Sequence, residues 1–414
     1  PHPIIRASFR QNGGSPRRTL NRNPGERTVP MVSVNKRGRD RVLRGHLWVF
    51  RSDVRAVEGA SSGDVVEVRG SQGEFMGRAF YSESSQITLR LITTEDEAVD
   101  EAFWRKRLSA ALAQRSSLTP GTTAYRWVHG EADGIPSLVV DRYQDVLSIQ
   151  TLTPGTDRLK DSWVRLWVEL VQPTGIIERN DQKVRALEGL PLIKGTLFGE
   201  VPPFVSVQEE GIELRADLRE GQKTGLFLDQ RENHLAAARC ARGKALDLFC
   251  YDGGFSLHLA RVCQKVVAVD TSHEALARLR VNAQANRLDN IDIREGNVFD
   301  ILRELEASGE RFDTIVLDPP AFAKNRAAVP RARRGYKEIN LRAMRLLQSG
   351  GHMVTSTCSY HVSERDFLDI LTEAAADVRA RLVVVEKRAQ SRDHPILLAM
   401  PETHYLKCVI LRRL

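Results

Sequence analysis

Cys358 stands among small hydroxyl residues in the stretch VTSTCSYHV, which covers positions 354–362. A deprotonated cysteine is a strong nucleophile, so a thiol placed beside a bound substrate could form a covalent intermediate with it. Cysteine is also among the residue types most often buried as an inert apolar side chain. The two interpretations differ in what surrounds the thiol, so the neighbouring segments must decide between them.

Two aspartates follow or end strand-like apolar runs. Asp247 lies in LDLFCYDGGFS, and Asp270 ends KVVAVD. An acid at the end of the second strand of a nucleotide-binding sheet can accept hydrogen bonds from two ribose hydroxyls, although it could also simply cap the next helix. Asp247 suits a ligand that carries an ammonium group. Gly253 and Gly254 do not complete the G-x-G-x-x-G fingerprint, which disfavours a nicotinamide oxidoreductase.

A third aspartate, Asp318, precedes two prolines in VLDPPAFAKN. Pro319 and Pro320 lack backbone N–H donors and stiffen the chain, so their carbonyls could face the amino edge of a planar base. Asp318 would add an acceptor at the same place. A plain turn that ends a strand explains the tripeptide equally simply, and the tripeptide alone does not decide between the two.

From about Ser206 the chain alternates apolar runs with helical stretches, which predicts a doubly wound α/β fold with a mostly parallel sheet. The predicted strands are ALDLFC (245–250), KVVAVD (265–270), IDIREG, FDTIVLD (312–318), HMVTSTCS (352–359), LVVVEKRA and YLKCVILRRL. Thr271 and Glu274 have the spacing of a helix capping box. With the strand order 3-2-1-4-5-7-6, the fourth and fifth strands are neighbours about 5 Å apart. Asp318 and Cys358 would then project into one pocket.

The chain divides into a tail and three predicted domains. Residues 1–30 carry six arginines and one glutamate, and we expect a basic disordered tail, either an RNA-contacting arm or an extension to a fold that begins near Met31. Residues 31–94 contain short strands separated by glycine turns and predict a small β-barrel. Residues 95–205 predict a central α+β domain, and residues 206–414 form the doubly wound domain.

The segment RGRDRVLRGHLWVFRSDV interleaves cations with aromatic rings. Arg44, His46 and Trp48 are candidates for contact with nucleic acid, because cations bind phosphates and aromatic rings stack on bases. A solvated face around a core tryptophan explains the pattern equally well.

Composition narrows the class of protein. The 414 residues carry a net charge of +8, and the first 30 contribute +5 of it. The apolar runs are too short to span a bilayer, so no membrane insertion is expected. The five cysteines form no C-x-x-C pair and have no histidine at metal-ligand spacing, which predicts a reducing, cytoplasmic location and no metal site. The oligomeric state stays open, with a homodimer as one option.

Seven ordered segments carry a resemblance to a known family: GQKTGLFLDQREN, LDLFCYDGGFS, VVAVDTSHEAL, VLDPPAFAKN, RGYKEINLRAMRLLQSGG, TSTCS and DHPILLAMPETHYLKCVILR. Together with RGHLWVF and HGEADGIPSLVVDRY, they resemble the bacterial 23S ribosomal RNA cytosine-C5 methyltransferases from about Met31 to Leu414. The resemblance implies a PUA domain, a central domain and a class I, Rossmann-like methyltransferase domain. It also implies large-subunit ribosomal RNA as the partner.

The resemblance implies that the cofactor is S-adenosyl-L-methionine and the product S-adenosyl-L-homocysteine. Asp270 would hold the ribose, and Asn297 would face the adenine. Asn297 departs from the aspartate common in the family, but its amide oxygen can still accept a hydrogen bond from the adenine amino group. The implied cofactor residues are Thr224, Gly225, Gln230, Arg231, Asp247, Phe249, Tyr251, Gly253, Asp270, Thr271, Ser272, Asn297, Val298 and Asp318.

By the same resemblance, Cys358 would add to C6 of cytosine, while Asp318 would hold the base and supply a proton to N3. The thiol must be deprotonated at neutral pH, so a neighbouring feature is expected to lower its pKa. Ala321 stands where some relatives have a second cysteine, so no second thiol would assist. Pro319 and Pro320 would contact RNA, and the target base would lie in a loop or be flipped out.

Two other interpretations stay open. A methyltransferase of the same fold could act on guanine or an exocyclic amine, with Cys358 only structural. A non-catalytic RNA-binding assembly factor is the second, although the presence of Asp247, Asp270, Asp318 and Cys358 argues against it.

Overall fold

The structure is a computed structural model that describes residues 29–118, 121–323 and 325–414. The segment expected to form a basic tail lies outside the described residues, apart from its last two positions. An N-terminal sheet, a central α+β unit, a β-hairpin and a C-terminal doubly wound sheet follow one another along the chain.

The N-terminal unit is a mixed sheet with one helix. Its elements are β1 (Met31–Val34), α1 (Lys36–Leu43), β2 (Trp48–Phe50), β3 (Val54–Glu58), β4 (Val65–Arg69), β5 (Phe75–Tyr81) and β6 (Ile87–Thr93). The six strands are ordered β2-β6-β5-β4-β1-β3, with β1 parallel to β4 and the other neighbours antiparallel. Alternate residues of β1 and β4 are buried, as the period of two in their sequences requires.

The central unit packs helices on a five-stranded sheet ordered β11-β10-β9-β8-β7. Its elements are α2 (Glu101–Leu118), β7 (Ala124–His129), β8 (Leu138–Tyr143), β9 (Val146–Thr151), α3 (Pro154–Arg158), α4 (Lys160–Val171), β10 (Gly175–Asn180), α5 (Val184–Leu187) and β11 (Ile193–Gly199). Four buried tryptophans form its centre: Trp104 packs on Trp163 at 5.2 Å between ring centroids, and Trp127 on Trp167 at 5.5 Å.

A hairpin and a helix lead into the C-terminal sheet. They are β12 (Phe204–Glu209), β13 (Ile212–Asp217) and α6 (Arg231–Cys240). The sheet and its helices are β14 (Lys244–Leu248), α7 (Gly254–Ala260), β15 (Lys265–Asp270), α8 (His273–Ala285), β16 (Ile291–Glu295), α9 (Val298–Ala307), β17 (Phe312–Leu317), α10 (Val329–Leu346), β18 (Leu347–Thr357), α11 (Glu364–Asp377), β19 (Leu382–Arg388) and β20 (Lys407–Arg413).

The seven-stranded sheet has the order β16-β15-β14-β17-β18-β20-β19, so the predicted order 3-2-1-4-5-7-6 is confirmed. All neighbours from β16 to β18 are parallel, and β20 is antiparallel to both β18 and β19. The central strands β14, β15 and β17 are buried on both faces, which explains why they read as unbroken apolar runs. The ends of β14, β15, β17 and β18 therefore lie side by side.

One predicted helix start is displaced by a residue. Helix α8 begins at His273, and Ser272 is its N-cap, because the Ser272 side chain accepts a hydrogen bond from the Ala275 N–H. The capping box expected from Thr271 is therefore wrong. Both residues carry a hydroxyl group, so composition could not distinguish them.

Buried polar contacts join the central unit to the C-terminal sheet. Asp393, which follows β19, accepts hydrogen bonds from the Arg126 backbone at 2.8 Å and from Arg231 at 3.2 Å. Thr224 donates to Asp141 of β8 at 2.6 Å. These contacts anchor the segment that precedes α6. Among the described residues, no helix is both long and apolar enough to cross a membrane.

Candidate active site

The turn after β14 has a constrained backbone. Phe249 and Tyr251 have φ values of +66° and +49°, and Gly253 has +95°. Such conformations cost about 1–3 kcal/mol for a residue other than glycine, so the surroundings must hold them. The Phe249 N–H donates to the Val269 carbonyl at 2.9 Å, and a Cβ on Gly253 would lie 2.1 Å from Leu279 Cδ1. The turn thus brings backbone to the carboxyl edge of the sheet, where ligands bind in such folds.

Asp270 braces this turn from the neighbouring strand. Its Oδ2 accepts a hydrogen bond from the Tyr251 N–H and its Oδ1 from the Ser272 N–H, both at 2.9 Å. The side chain is half-buried, and each carboxylate oxygen can accept a further hydrogen bond. Tyr251 and Ser272 also line a cavity of about 640 Å³ between the β12–β13 hairpin and α8. Asp270 therefore holds two residues that line this cavity, without being one of its lining residues.

Asp247 is a fully buried acid beneath the same turn. Its Oδ2 accepts a hydrogen bond from the Ser256 hydroxyl at 2.6 Å, while Oδ1 has no partner among the described residues. Burial raises the pKa of Asp247 to about 7, although the Ser256 bond opposes the rise, and the charge of Asp318 adds to it. A cationic ligand group would satisfy the free oxygen and favour the ionised form.

Asp318 follows β17 directly and is held by a neutral amide. Gln230 Nε2 donates to Asp318 Oδ1 at 2.8 Å, and Asn233 donates to Gln230 Oε1 at 2.6 Å, which fixes the direction of the Gln230 amide. Burial raises the pKa of Asp318 to about 6, and the charge of Asp229 contributes to the rise. The carboxyl group can therefore carry a proton close to neutral pH.

Cys358 follows β18, the strand beside β17. Leu317 pairs with Thr355 across these strands, so Asp318 and Cys358 lie at the same edge of the sheet. The thiol is half-buried. Burial and then the charge of Asp318 raise its pKa to about 11, and the opposing effect of Lys223 does not reverse this. The expectation that its surroundings lower the pKa of the thiol is therefore wrong for the protein without ligands.

The hydroxyl residues around Cys358 hold its loop against α10. The Thr357 hydroxyl donates to the Tyr336 hydroxyl oxygen at 2.8 Å, and Ser359 Oγ lies 2.9 Å from the same oxygen. Ser359 Oγ also accepts a hydrogen bond from the Ala323 N–H at 3.1 Å, in the loop that contains the two prolines. Tyr336 thereby ties the Cys358 loop to the Asp318 loop.

The two prolines after Asp318 differ in exposure, since Pro319 is buried and Pro320 is exposed. Pro320 therefore presents a surface at this edge of the sheet, whereas Pro319 packs inside it.

The segment 222–231 closes the other side of the site. Thr224 is buried against Asp141 and the Tyr143 hydroxyl. Gly225 has a φ of +146°, and a Cβ added there would lie 2.8 Å from Leu218 Cδ2 and 3.3 Å from the Tyr143 ring. Arg231 forms a buried ion pair with Asp393. The side chains of Thr224 and Arg231 thus anchor the segment, while Gln230 reaches the site itself.

Three further residues expected at the cofactor are Asn297, Val298 and Thr271. Asn297 is exposed and caps α9, because its Oδ1 accepts a hydrogen bond from the Phe299 N–H at 2.9 Å. The Val298 side chain is buried in the core, and Thr271 is exposed. These residues lie at the ends of β15 and β16, next to Asp270 but three or four strands from β18, which Cys358 follows.

His46 and Trp48 connect units of the protein. His46 is buried, with Nε2 3.3 Å from Glu402 Oε1 of the C-terminal unit. Trp48 is half-buried and donates from Nε1 to Glu131 Oε1 of the central unit at 2.8 Å. Both side chains therefore take part in contacts between units of the protein.

Arg44 has a different position from these two aromatic residues. It is exposed and lines a cavity of about 630 Å³ together with Lys36, Arg37 and Arg41. Ala399 of the C-terminal unit lines the same cavity. This basic cavity lies where the N-terminal and C-terminal units meet.

Three residues near Cys358 had no role assigned from the sequence. Lys223 forms an ion pair with Asp229 at 2.6 Å, Tyr336 holds the two loops, and Lys407 is buried beside the Cys358 loop. All three lie inside the segments that carry the family resemblance. Only their positions in the fold show what they contact.

A buried group of three side chains lies behind the site. Glu209 Oε1 is 2.7 Å from His234 Nδ1 and 3.0 Å from His258 Nε2, so the group satisfies itself by hydrogen bonding. Despite burial, the two rings hold the pKa of Glu209 well below its usual range. The carboxylate oxygen and the two ring nitrogens, which are atoms of the kind that bind metal ions, all lie within 4.8 Å of one another. The spacing of the histidines in the sequence did not predict this arrangement.

Comparisons with known proteins agree with this geometry. A model of the PUA-like domain matches residues 32–94, and a model of the S-adenosylmethionine-dependent methyltransferase matches residues 195–410. The chain is 40% identical to the Ribosomal RNA large subunit methyltransferase I of Shewanella amazonensis, over 91% of this chain and 98% of that protein. It is 39% identical to the protein of the same name from Yersinia pseudotuberculosis, over 92% and 98%.

Solved structures share the fold. SMU.776, a proposed methyltransferase complexed with S-adenosylhomocysteine, superposes with a TM-score of 0.81 at 20% identity, over 94% of this chain and 100% of that one. An S-adenosylmethionine-dependent methyltransferase structure from Streptococcus mutans gives a TM-score of 0.80 at 20% identity, over the same fractions.

Proposed function

Because the chain belongs to the S-adenosylmethionine-dependent methyltransferase family, we propose that it methylates C5 of a cytosine in large-subunit ribosomal RNA. The observation that carries the proposal is the pairing of β17 with β18, which brings Asp318 and Cys358 to one edge of the sheet. A carboxyl group that can hold a proton and a thiol are the two groups that this chemistry requires.

The RNA substrate is supported by the relatives and by the charge of the N-terminal unit. The similar proteins from Shewanella and Yersinia carry names that assign them to ribosomal RNA of the large subunit. In this chain, Arg44 and three cations of α1 line one cavity with a single acid, Asp40, so its lining is net positive, as expected for a surface that binds phosphates. We assign residues 31–94 to RNA binding, residues 95–205 to the connecting domain and residues 206–414 to catalysis.

The residues around the first two strands fit the cofactor. Asp270 would accept hydrogen bonds from the ribose hydroxyls, and the free Oδ1 of buried Asp247 would accept one from the ammonium group of the methionine portion. The turn with Phe249, Tyr251 and Gly253 would lie along the ligand. When bound, S-adenosylmethionine supplies an electrophilic methyl group on a positively charged sulfur.

Cys358 would make cytosine reactive. The thiolate adds to C6 and forms a carbon–sulfur bond, which makes C5 electron-rich enough to accept the methyl group. Loss of the C5 proton then restores the C5–C6 double bond and expels the thiolate. The raised pKa of the thiol means that little thiolate is present in the free protein at neutral pH, and a cationic ligand in the complete complex would increase it by offsetting the charges of Asp318 and Asp229.

Asp318 would act on the other side of the ring. As the thiolate adds to C6, negative charge develops toward N3, and a protonated carboxyl group can donate a hydrogen bond or a proton there. The pKa of about 6 leaves part of the Asp318 population protonated near neutral pH. Gln230 would keep the carboxyl group pointed at the base.

The test is incubation of large-subunit RNA with the purified protein and isotope-labelled S-adenosylmethionine, followed by mass spectrometry of the released nucleosides. Label in 5-methylcytidine is the expected result, and it should disappear with Cys358→Ala. Cys240→Ala, which removes another half-buried thiol away from the site, should leave it unchanged. Label in a methylated guanosine, or full activity of Cys358→Ala, would overturn the proposal.

A further inference from the structure

A lysine side chain is buried against the loop of the candidate nucleophile. Lys407 is 5% exposed and begins β20, where it pairs with Thr357, the residue before Cys358. Its Nζ donates to the carbonyl of Ser359, the residue after Cys358, at 3.5 Å, and to the Tyr405 carbonyl at 3.3 Å. Lys407 therefore pairs with the residue before Cys358, and its ammonium group contacts the residue after Cys358.

This ammonium group has no carboxylate partner within 4.0 Å among the described residues. Buried lysines are rare unless they are paired, because removing the charge from water is costly. Glu364, the acid that interacts electrostatically with Lys407, forms its own ion pair with Lys387 at 2.8 Å. The other group that interacts electrostatically with Lys407 is Cys358. The two carbonyl contacts are long and offset only part of the cost of burial.

We propose that the Lys407 ammonium group is the fixed positive charge that stabilises the thiolate of Cys358. The proposal rests on the proposed function, because it assigns a task to Lys407 in the same reaction. Lys407 acts through Cys358, so it is a positioning residue and does not need to touch the RNA base or the cofactor. Methyl transfer would begin from a thiolate that faces this ammonium group.

Other charged and titratable groups also face Cys358. Asp318 after β17 and Asp229 before α6 raise the pKa of the thiol, and Lys223 lowers it. Lys223 is 39% exposed and is already paired with Asp229, so this pair contributes little net charge. The hydroxyl group of Tyr336 on α10 is neutral at physiological pH, because burial raises its pKa.

Lys407 is thus the buried cation near Cys358 that no acid neutralises within the described part of the chain. The charges balance without any further group. The thiol loses its proton to water, the ammonium group stays protonated, and the sulfur then bonds to C6. After C5 has taken the methyl group, water accepts the C5 proton and the C–H electron pair re-forms the C5–C6 double bond. The carbon–sulfur bond breaks in the same step, and the thiolate returns to face Lys407. Burial lowers the pKa of Lys407, which agrees with an ammonium group that needs a nearby anion.

The experiment measures how readily Cys358 reacts with iodoacetamide as a function of pH, because the thiolate is the reactive form. The Cys358 peptide is quantified by mass spectrometry, which separates it from the four other cysteines. Lys407→Gln, whose amide can still donate to the two carbonyls, should raise the midpoint pH of alkylation by one unit or more. Lys407→Arg should restore a profile close to that of the unchanged protein.

Lys265→Gln is the control, since it removes the same charge from the first residue of β15, three strands from β18, and should not move the midpoint. An unchanged alkylation profile for a folded Lys407→Gln variant would overturn the proposal. If that variant does not fold, the reciprocal measurement decides. NMR of the lysine ε-carbons should show a lower pKa for Lys407 in Cys358→Ser than in the unchanged protein, because the coupling between two sites is equal in both directions.

An equal Lys407 pKa in the two proteins would also contradict the proposal. The alkylation experiment uses no RNA and no methyl transfer. Its result can therefore contradict the role of Lys407 while the proposed methylation reaction still holds. Conversely, a Cys358→Ala variant that still methylates RNA would remove the proposed mechanism and leave the alkylation result standing.

Discussion

The side-chain amide of Gln230 donates a hydrogen bond to Asp318 across 2.8 Å, and no cation lies in direct contact with this carboxyl group among the described residues. A neutral donor does not compensate the charge of this half-buried acid as an arginine would, so loss of solvent can raise the pKa of Asp318 to about 6. The fold thereby keeps an acid that can be protonated beside a thiol. The stability of the protein should reflect this arrangement.

Asp318→Asn should stabilise the protein at neutral pH and do so less in acid. A carboxyl group whose folded pKa is raised favours the folded state only while it is protonated, so stability falls as pH rises from about 4 to about 6. Asparagine does not titrate and avoids this loss. Melting temperatures should be compared between pH 4.5 and pH 8. The melting temperature of Asp318→Asn should exceed that of the unchanged protein by a margin that grows with pH and then levels off. A margin independent of pH would refute the raised pKa.

The gain in stability should accompany a loss of function. Asparagine cannot give a proton to the base, so methyl transfer should fall steeply while the affinity for S-adenosylmethionine stays within a few fold. Asp289→Asn, a change at an exposed acid before β16, is the control for both measurements. A variant that keeps full turnover would show that Asp318 is not the acid.

Tyr336→Phe should loosen the Asp318 loop and the Cys358 loop together. The hydroxyl of Tyr336 accepts from Thr357, contacts Ser359 and is fully buried, so its removal leaves buried polar groups without a partner. Such a loss costs about 1–3 kcal/mol. We expect a lower melting temperature and a lower turnover rate with unchanged cofactor affinity. Tyr360→Phe, where the ring is 52% exposed, should change neither quantity, and equal behaviour of the two variants would contradict the role of Tyr336.

Asp270→Asn should weaken cofactor binding. One charged acceptor is lost, although the amide oxygen can still accept a hydrogen bond from one of the two backbone N–H groups that Asp270 now braces. Hydrogen bonds to charged groups contribute about 1.5–3 kcal/mol, which corresponds to a loss of affinity of about 10- to 100-fold. Isothermal titration calorimetry with S-adenosylmethionine measures it, and Asp289→Asn again serves as the control. An affinity equal to that of the unchanged protein would place the ribose elsewhere.

The sequence predicted the C-terminal sheet well because its signals are local. Strands β14, β15 and β17 are short apolar runs, each has an aspartate within one residue of its carboxyl end, and helical stretches separate them. Alternation of this kind allows few topologies, so the strand order and the meeting of Asp318 with Cys358 could be deduced.

The partners of the polar side chains were not predictable in the same way. Arg231 and Thr224 were expected at the cofactor. In the structure Arg231 binds Asp393, 162 positions away in the chain, and Thr224 binds Asp141, 83 positions away. The periodic spacing of apolar residues in the sequence does not predict contacts between residues so far apart in the chain. The pKa of Cys358 also depends on burial and on Asp318, so only the folded arrangement shows that it rises.

The most direct test of the central claim is to trap the bond between Cys358 and cytosine. RNA that carries 5-fluorocytidine at the target position should accept the thiolate and the methyl group, but it has no C5 proton to lose, so the enzyme cannot be released. We predict an RNA–protein complex that survives denaturing electrophoresis, requires S-adenosylmethionine, and yields a Cys358 peptide linked to the nucleotide by mass spectrometry. Cys240→Ala should form it normally and Cys358→Ala not at all. Methylation of ordinary RNA without any trapped complex, or a complex that persists in Cys358→Ala, would contradict the account.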